Sequence, residues 1–351
     1  MPISAVDALN PAFEHTKKQL FQPFRLGQWT RLALVGLFAG EMATGGGGGG
    51  PNFQAPAGHP HGNLPGMPHI DFALLIPLIV MAVIGVAVLW LVFLYISSRM
   101  RFILFDSVIA KKCEVRRTWR ARREPALQYF VWQIVFSLVA FAGIVVLVGL
   151  PALGALLLGW FSHPHEHIAG LILTGVAVFL AFMACIVLFV CVHVFTKDFV
   201  VPQMALENIS AFEGWRRLLP MLRAEKGGYA GYAGMKIVMA LGAAFAVTVV
   251  VVILVLVLLI PIGGVGLLSV LFGKAAGLSW NVFTITLVVV AGCMFLLVLF
   301  YGAALISVPV IVYFPAYSIY FFASRYQPLA NLIYPPPPPP AHSPPVTESP
   351  A

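Results

Sequence analysis

The composition of the chain is that of a membrane protein. It has 351 residues, of which 60% are apolar and only 10% charged, and its mean hydropathy is +0.94. Soluble domains are about 25% charged, so this composition excludes a compact water-soluble enzyme with a polar shell. The formal net charge of +8 would indicate nucleic acid in a soluble protein, but here the basic residues lie in segments between apolar runs. We therefore predict an all-α polytopic membrane bundle without a nucleic-acid partner.

In chain order, the first apolar stretch is the weakest. Residues 24–43 contain two arginines and Glu41, which leave an uninterrupted apolar run only over residues 32–40. A spanning helix needs about 20 mostly apolar residues, so length alone would make this segment interfacial. The distribution of basic residues favours a span instead.

Five further segments are long enough to cross a bilayer and contain no Asp, Glu, Lys or Arg. These predicted spans are residues 72–96, 126–150, 168–195, 237–260 and 282–307. The last run stays uncharged to Ala323, which is too long for one crossing. Because Pro309 and Pro315 favour a break, we predict that this span ends near Ser307 and that an interfacial helix follows.

The number of basic residues alternates between successive connecting segments. Four lie before Leu32, nine in residues 99–123 and six in residues 197–236, whereas residues 44–71 and 162–167 contain none and residues 261–281 contain one. This alternation is expected for six spans with both termini in the cytoplasm. We therefore predict six transmembrane helices in the bacterial cytoplasmic membrane.

The membrane domain, residues 24–323, is predicted to be flanked by short cytoplasmic segments. Residues 1–23 show no removable signal peptide, and residues 324–351 form a disordered tail with six consecutive prolines, Pro335–Pro340. We interpret this run as a stiff polyproline spacer, and a ligand for an aromatic groove is the alternative. Gly45–Gly50 begins a flexible outer loop rather than a phosphate-binding loop, because no strand precedes it.

The two most basic segments, here called the first elbow (residues 99–123) and the second elbow (residues 197–236), resemble each other. Each begins with an apolar stretch beside a charge and then reaches a Trp-Arg pair. The tryptophans of these pairs, Trp119 and Trp215, are 96 residues apart. This layout indicates a duplicated helix-elbow-helix unit, and chance similarity of two amphipathic linkers is the alternative.

The second elbow is predicted to contain two short helices, and both elbows to contact lipid. Pro202 suits a helix start, and Ser210 with Glu213 has capping-box spacing. Basic amphipathic helices with tryptophan at the polar boundary lie in the headgroup plane. The predicted contacts with anionic lipid are Arg116, Arg117, Trp119, Arg120, Arg122, Arg123, Trp215, Arg216 and Arg217.

Histidines and cysteines give only weak indications of a metal. Six of the nine histidines fall on the predicted outer side, and His163, His165 and His167 share the sequence HPHEH. Such a cluster has donors for zinc, copper or nickel, but structural sites draw on separated ligands in a rigid frame, so we interpret it as a polar turn. The four cysteines have neither zinc nor redox spacing.

Ionisable groups near the span ends are expected to be structural. Glu41 is interpreted as a wetted residue at the outer end of the first span rather than an ion relay. His193, Lys197 and Asp198 are expected to satisfy one another at the inner interface.

No segment carries a catalytic signature. An intramembrane enzyme would need a Ser or Cys paired with His at depth, an HExxH helix or two acidic residues within one bundle, and the sequence contains none of these. We therefore predict that the protein is not an enzyme, with no catalytic, cofactor-binding or metal-binding residue and no cofactor.

Several stretches together resemble a known group of proteins. They are LFQPFRLGQWTRLALVGLFAGEMATGGGGGGPN, SRMRFILFDSVIA, KDFVVPQMAL, GWRRLLP and YFPAYSIYFFASRYQPL. Their order is similar to that in uncharacterised bacterial six-helix membrane proteins, which are distantly similar to the membrane domain of some glycerophosphodiester phosphodiesterases. The resemblance covers residues 20–330. It implies no catalytic residue, because no activity is established for that group. It does not imply phosphodiesterase activity either, because the hydrolase domain with its metal-binding carboxylates is absent from this sequence.

The sequence favours a non-enzymatic role at the inner leaflet. We expect a scaffold or a membrane and lipid homeostasis factor, whose partners are lipids with anionic headgroups. A small-solute or lipid transporter with a path between the two hairpins is the alternative, and a metal-responsive protein using the outer histidines is a third. Polar residues lining a continuous cavity would favour transport, whereas a dry bundle with a basic underside would favour a scaffold.

Overall fold

The computed structural model describes residues 3–41, 72–160, 165, 167–275 and 282–335. In these residues the regular structure is helical and no β-strand forms. The helices are α1 (Leu9–Phe21), α2 (Leu26–Phe38), α3 (Phe72–Ile109), α4 (Val115–Ala121), α5 (Arg123–Leu157), α6 (Ile168–Phe195), a π-helical turn (Thr196–Val200), α7 (Val201–Glu207), α8 (Ala211–Ala224), α9 (Lys226–Ala275), α10 (Val282–Ala323) and α11 (Gln327–Ile333). The glycine run with the histidines that follow it, His163 and the tail beyond residue 335 lie outside the described residues.

Five helical segments are long and apolar enough to cross a membrane. They are Ile76–Ile109, Arg123–Leu157, Ile168–Glu207, Lys226–Ile260 and Val282–Ala323. In each of them the most apolar window of 18 residues has no buried residue, although its side chains are apolar. Helices of this kind need lipid or another apolar partner. They indicate a multi-pass membrane protein, and the prediction of an all-α fold is confirmed.

The structure does not confirm a sixth span. Helix α2 has 13 residues, which corresponds to about 20 Å, whereas the hydrocarbon core is about 30 Å thick. The helix packs along α3 and α10. A span over residues 24–43 therefore stays a prediction.

Buried residues concentrate at one end of the long helices, in a region here called the packed base. It comprises α1, α2, residues 98–109 of α3, residues 196–224, residues 304–323 of α10 and α11, with the first turns of α5 and α9. His15 of α1 joins three helices, because its Nε2 donates to Val108 O (2.8 Å) and the Tyr320 hydroxyl donates to its Nδ1 (3.2 Å). Burial lowers the pKa of His15, which keeps the ring neutral and able to accept this hydrogen bond at pH 7.

Helix α10 continues where an interfacial helix was expected. It runs for 42 residues through Pro309 and Pro315, and its residues 304–323 lie in the middle of the packed base. Each proline removes one helical hydrogen bond, but packing against α1 and α2 holds the helix together. The prediction of a break after Ser307 is therefore wrong, and an interfacial position for the residues that follow stays a prediction.

The start of the predicted disordered tail is also helical. Helix α11 begins with Pro328 in its first turn, where proline is favoured. Its Leu329 is buried, and the helix packs against α7 and α10. The first residues after Ala323 therefore belong to the packed base.

Gly36 allows α2 to approach α10 closely, and we expect Gly36→Ala to destabilise the protein by about 1–3 kcal/mol. A Cβ at this position would lie 2.5 Å from Ile311 Cγ2 and 2.6 Å from Ile311 Cδ1. Ile311 is buried, so its side chain cannot move aside freely. Equilibrium unfolding in detergent measures the effect. Ile311→Ala removes the contact but costs about 2–5 kcal/mol by itself, so the double variant should lose less than the sum of the two single losses, and additive effects would contradict this explanation.

Candidate functional site

Five charged side chains converge inside the packed base, and we call them the buried ion network. They are Glu41, Arg101, Lys197, Asp198 and Lys236. Each is at most 9% exposed, and they interact electrostatically with one another. Buried charges are expensive unless they are paired and hydrogen-bonded, so the pairing in this network decides whether the base is stable.

Glu41 bridges two cations from different helices. Its Oε1 is 3.3 Å from Arg101 Nη1 on α3, and its Oε2 accepts a hydrogen bond from Lys197 Nζ on the π-helical turn. Glu41 is 3% exposed. The prediction of a wetted residue at the outer end of a span is therefore wrong, because the carboxylate is enclosed by cations that belong to the two elbows.

Asp198 forms the second centre of the buried ion network. Its Oδ2 accepts hydrogen bonds from Lys236 Nζ and from the Tyr232 hydroxyl (2.9 Å), whose oxygen is 2.8 Å from Ser318 Oγ. Lys197 and Asp198 thus have different partners, because successive residues of a helix point about 100° apart. The prediction that they satisfy each other together with His193 is wrong.

The two elbows contribute to the network at equivalent positions. Arg101 and Lys197 are 96 residues apart, the same offset as Trp119 and Trp215, and both bind Glu41. The expected two short helices of the second elbow are also present as α7 and α8, with the Ser210 hydroxyl accepting from the backbone of Glu213 (3.3 Å). This geometry supports the proposed duplication.

Six of the arginines predicted to contact lipid are exposed on the elbows. They are Arg116, Arg117, Arg120, Arg123, Arg216 and Arg217. Arg117 pairs with Glu114, and Arg216 and Arg217 pair with Glu213. Exposed pairs of this kind contribute little to stability, so these guanidinium groups can exchange their partners for an anionic ligand.

The other three predicted lipid contacts are half-buried and bind within the protein. Arg122 donates to both oxygens of Asp106 (2.9 and 3.0 Å) and to Ala205 O, which ties the first elbow to α7. Trp119 lies against the Arg99 guanidinium, 5.1 Å from the ring centroid. Trp215 Nε1 donates to Thr196 Oγ1 (3.0 Å). These residues stabilise the elbows, whatever contact they also make with lipid.

A groove of about 710 Å³ between α2 and α4 brings three arginines together. Arg31 from α2 lines it together with Arg116 and Arg117 from the first elbow, and Leu34 and Val115 supply apolar walls. The carboxylate of Glu114 also lines the groove and pairs with Arg117 (3.5 Å). We call it the arginine groove. The groove therefore combines three cationic side chains and one carboxylate with apolar walls. Arg31 was absent from the predicted contacts because these were chosen from the two elbows only.

The described residues contain no group of three or more His, Cys, Asp or Glu that could hold a metal. His165 is exposed and His167 stacks on Trp160, with 5.8 Å between the ring centroids. Because His163 lies outside the described residues, metal binding by HPHEH stays a prediction.

Sequence reasoning did not assign roles to Arg101, Lys236, Tyr232 or Ser318. The available signal was the charged pair Lys197-Asp198 directly after an apolar run, since an ionisable residue at a span end often has a partner on another helix. Only the structure shows which residues are the partners of Lys197 and Asp198.

Comparison with known proteins assigns the chain to a family. A model described as a family of unknown function (DUF7544) matches residues 3–332. The chain belongs to this family. Residues matched to DUF7544 include both elbows and the whole buried ion network. No curated protein and no solved structure matches the chain, so the similarity to phosphodiesterase membrane domains stays a prediction.

Proposed function

We propose that this DUF7544 protein is a non-enzymatic factor of the cytoplasmic membrane that binds anionic phospholipid at the inner leaflet, as a scaffold or in lipid homeostasis. The observation that carries the proposal is the arginine groove, in which Arg31, Arg116 and Arg117 lie beside apolar side chains. We place the elbows and both ends of the chain on the cytoplasmic side of the membrane. The excess of basic residues in the elbows agrees with this orientation.

The exposed faces of the long helices support a scaffold rather than a transporter. A transport path needs spans packed around polar side chains near the bilayer midplane. In the five candidate spans, the most apolar windows are unburied within this chain. The packed base instead holds the helices at one end and leaves their apolar surfaces available to lipid or to helices of a partner.

Replacing the exposed elbow arginines should reduce the anionic lipid that copurifies with the protein. The variant changes Arg116, Arg117, Arg120, Arg123, Arg216 and Arg217 to Gln and keeps Arg122, which has a structural role. Each basic residue near an anionic surface contributes about 1 kcal/mol, so loss of even one contact lowers binding about fivefold. Mass spectrometry of the purified samples gives the ratio of anionic to zwitterionic lipid.

Two control variants accompany this measurement. Changing the same six arginines to Lys keeps the charge and should keep most of the anionic lipid. Changing Lys17 and Lys18 of α1 to Gln removes basic residues outside the elbows and should leave the ratio unchanged. An identical lipid complement in the six-residue Gln variant and the parent protein would refute the proposal.

A further inference from the structure

The carboxylate of Glu114 lies in the arginine groove but is only weakly held by the protein. Its Oε2 is 3.5 Å from Arg117 Nη1, and the side chains of Glu114 and Arg117 are 53% and 85% exposed. An exposed ion pair of this length contributes little to stability. Glu114 is therefore able to accept a hydrogen bond from a ligand in the groove.

Asp106, a second carboxylate of the first elbow, shows the contrast. It lines a neighbouring groove of about 450 Å³, which shares Glu114 and Arg117 with the arginine groove. Both oxygens of Asp106 accept hydrogen bonds from Arg122, at 2.9 and 3.0 Å. A carboxylate has about four acceptor sites. Those of Asp106 are engaged within the protein, whereas Glu114 has only its long contact with Arg117 in the described part of the chain.

The arginines of the groove supply a site for a phosphate. Arg31 belongs to α2 and Arg116 to α4, both are exposed, and neither forms an ion pair with another described residue. Guanidinium groups bind phosphate oxygens through two parallel hydrogen bonds. A phosphate bound by these arginines places its headgroup beside Glu114, because Glu114 lines the same groove.

We propose that Glu114 makes the arginine groove selective for an anionic phospholipid with a hydroxylated headgroup, such as phosphatidylglycerol. This inference rests on the proposed function and specifies which anionic lipid the groove takes. The arginines bind the phosphodiester, and the carboxylate accepts hydrogen bonds from the hydroxyl groups of the headgroup, because an ionised carboxylate is only an acceptor.

The same carboxylate disfavours other headgroups. The phosphomonoester of phosphatidate carries a second, partial negative charge near pH 7, which is repelled by Glu114. The ammonium group of phosphatidylethanolamine could pair with Glu114, but it would lie among three guanidinium groups, and like charges placed together are unfavourable. Attraction to the arginines alone would rank phosphatidate first, so Glu114 is expected to reverse this order.

The selectivity is measured with the delipidated full chain in mild detergent. Phosphatidylglycerol, phosphatidate and phosphatidylethanolamine with identical acyl chains are offered in equal amounts, and native mass spectrometry counts the lipids that stay bound. The parent protein should bind phosphatidylglycerol most. Glu114→Gln keeps an acceptor oxygen but removes the negative charge, so it should raise the ratio of bound phosphatidate to phosphatidylglycerol about fivefold.

Glu14→Gln is the matched control, because it makes the same chemical change at an exposed position of α1 outside the groove. It should leave the ratio at the value of the parent. Phosphatidate binding as strongly as phosphatidylglycerol in the parent, or an unchanged ratio in Glu114→Gln, would overturn the role of Glu114 and leave anionic-lipid binding intact. Phosphatidylethanolamine binding as strongly as both anionic lipids would overturn the proposed function as well.

Discussion

Replacing Glu41 with Gln is expected to destabilise the protein by about 3–5 kcal/mol. The substitution keeps the size of the side chain but leaves Arg101 and Lys197 without the carboxylate that lies between them. Both cations are buried, so water cannot replace the lost charge. Equilibrium unfolding of the purified protein in mixed detergent micelles measures the difference.

Glu207 provides the matched control for this substitution. It also pairs with an arginine, Arg217, but the two side chains are 30% and 41% exposed. Glu207 accepts a second hydrogen bond from the Tyr326 hydroxyl, and the amide oxygen of Gln can still accept it. Glu207→Gln should therefore lower the free energy of unfolding by less than about 1 kcal/mol. If Glu41→Gln were no more destabilising than this control, the Glu41 ion pairs would contribute nothing to the stability of the packed base.

Replacing Glu41 together with its two cationic partners should destabilise the protein less than replacing Glu41 alone. Buried ion triads can often be exchanged for apolar residues of similar volume without loss of stability. The triple variant Glu41→Leu, Arg101→Met, Lys197→Met should therefore recover most of the stability that Glu41→Gln loses. A triple variant less stable than the single variant would indicate that the cations have further stabilising contacts of their own.

The sequence predicted the long apolar helices well because their signal is local. Residues 168–195 were predicted as a span, and α6 has the same bounds. The short helices of the second elbow followed from Pro202 and from the spacing of Ser210 and Glu213, and both are found. In each case neighbouring residues alone determine the backbone conformation.

The packed base could not be predicted because its contacts are distant in sequence. Glu41 binds partners that are 60 and 156 residues away, and no periodic pattern connects these positions. The prolines of α10 were interpreted as a break, although tertiary packing holds that helix together. Local propensity fails where tertiary contacts supply the stabilisation.

Replacing Phe199 with Ala is expected to destabilise the packed base by about 3–5 kcal/mol. Phe199 lies on the π-helical turn beside Asp198 and is fully buried. Its ring contacts five other aromatic rings at centroid distances of 5.0–6.0 Å, those of Phe195, Tyr229, Tyr232, Phe321 and Phe322. Truncation leaves a cavity that rigid neighbouring rings cannot fill.

Phe212→Ala is the control for this substitution, because Phe212 of α8 is 63% exposed. Its truncation should change the free energy of unfolding by less than about 0.5 kcal/mol. Phe199→Leu keeps part of the buried volume and should fall between the two alanine variants. Because Phe199 joins the second elbow to α9 and α10, we expect Phe199→Ala to increase proteolysis of the packed base while the long helices remain in the membrane. A loss of stability below about 1.5 kcal/mol would show that the surrounding rings repack, and the second elbow would then be held chiefly by the ion pairs of Lys197 and Asp198.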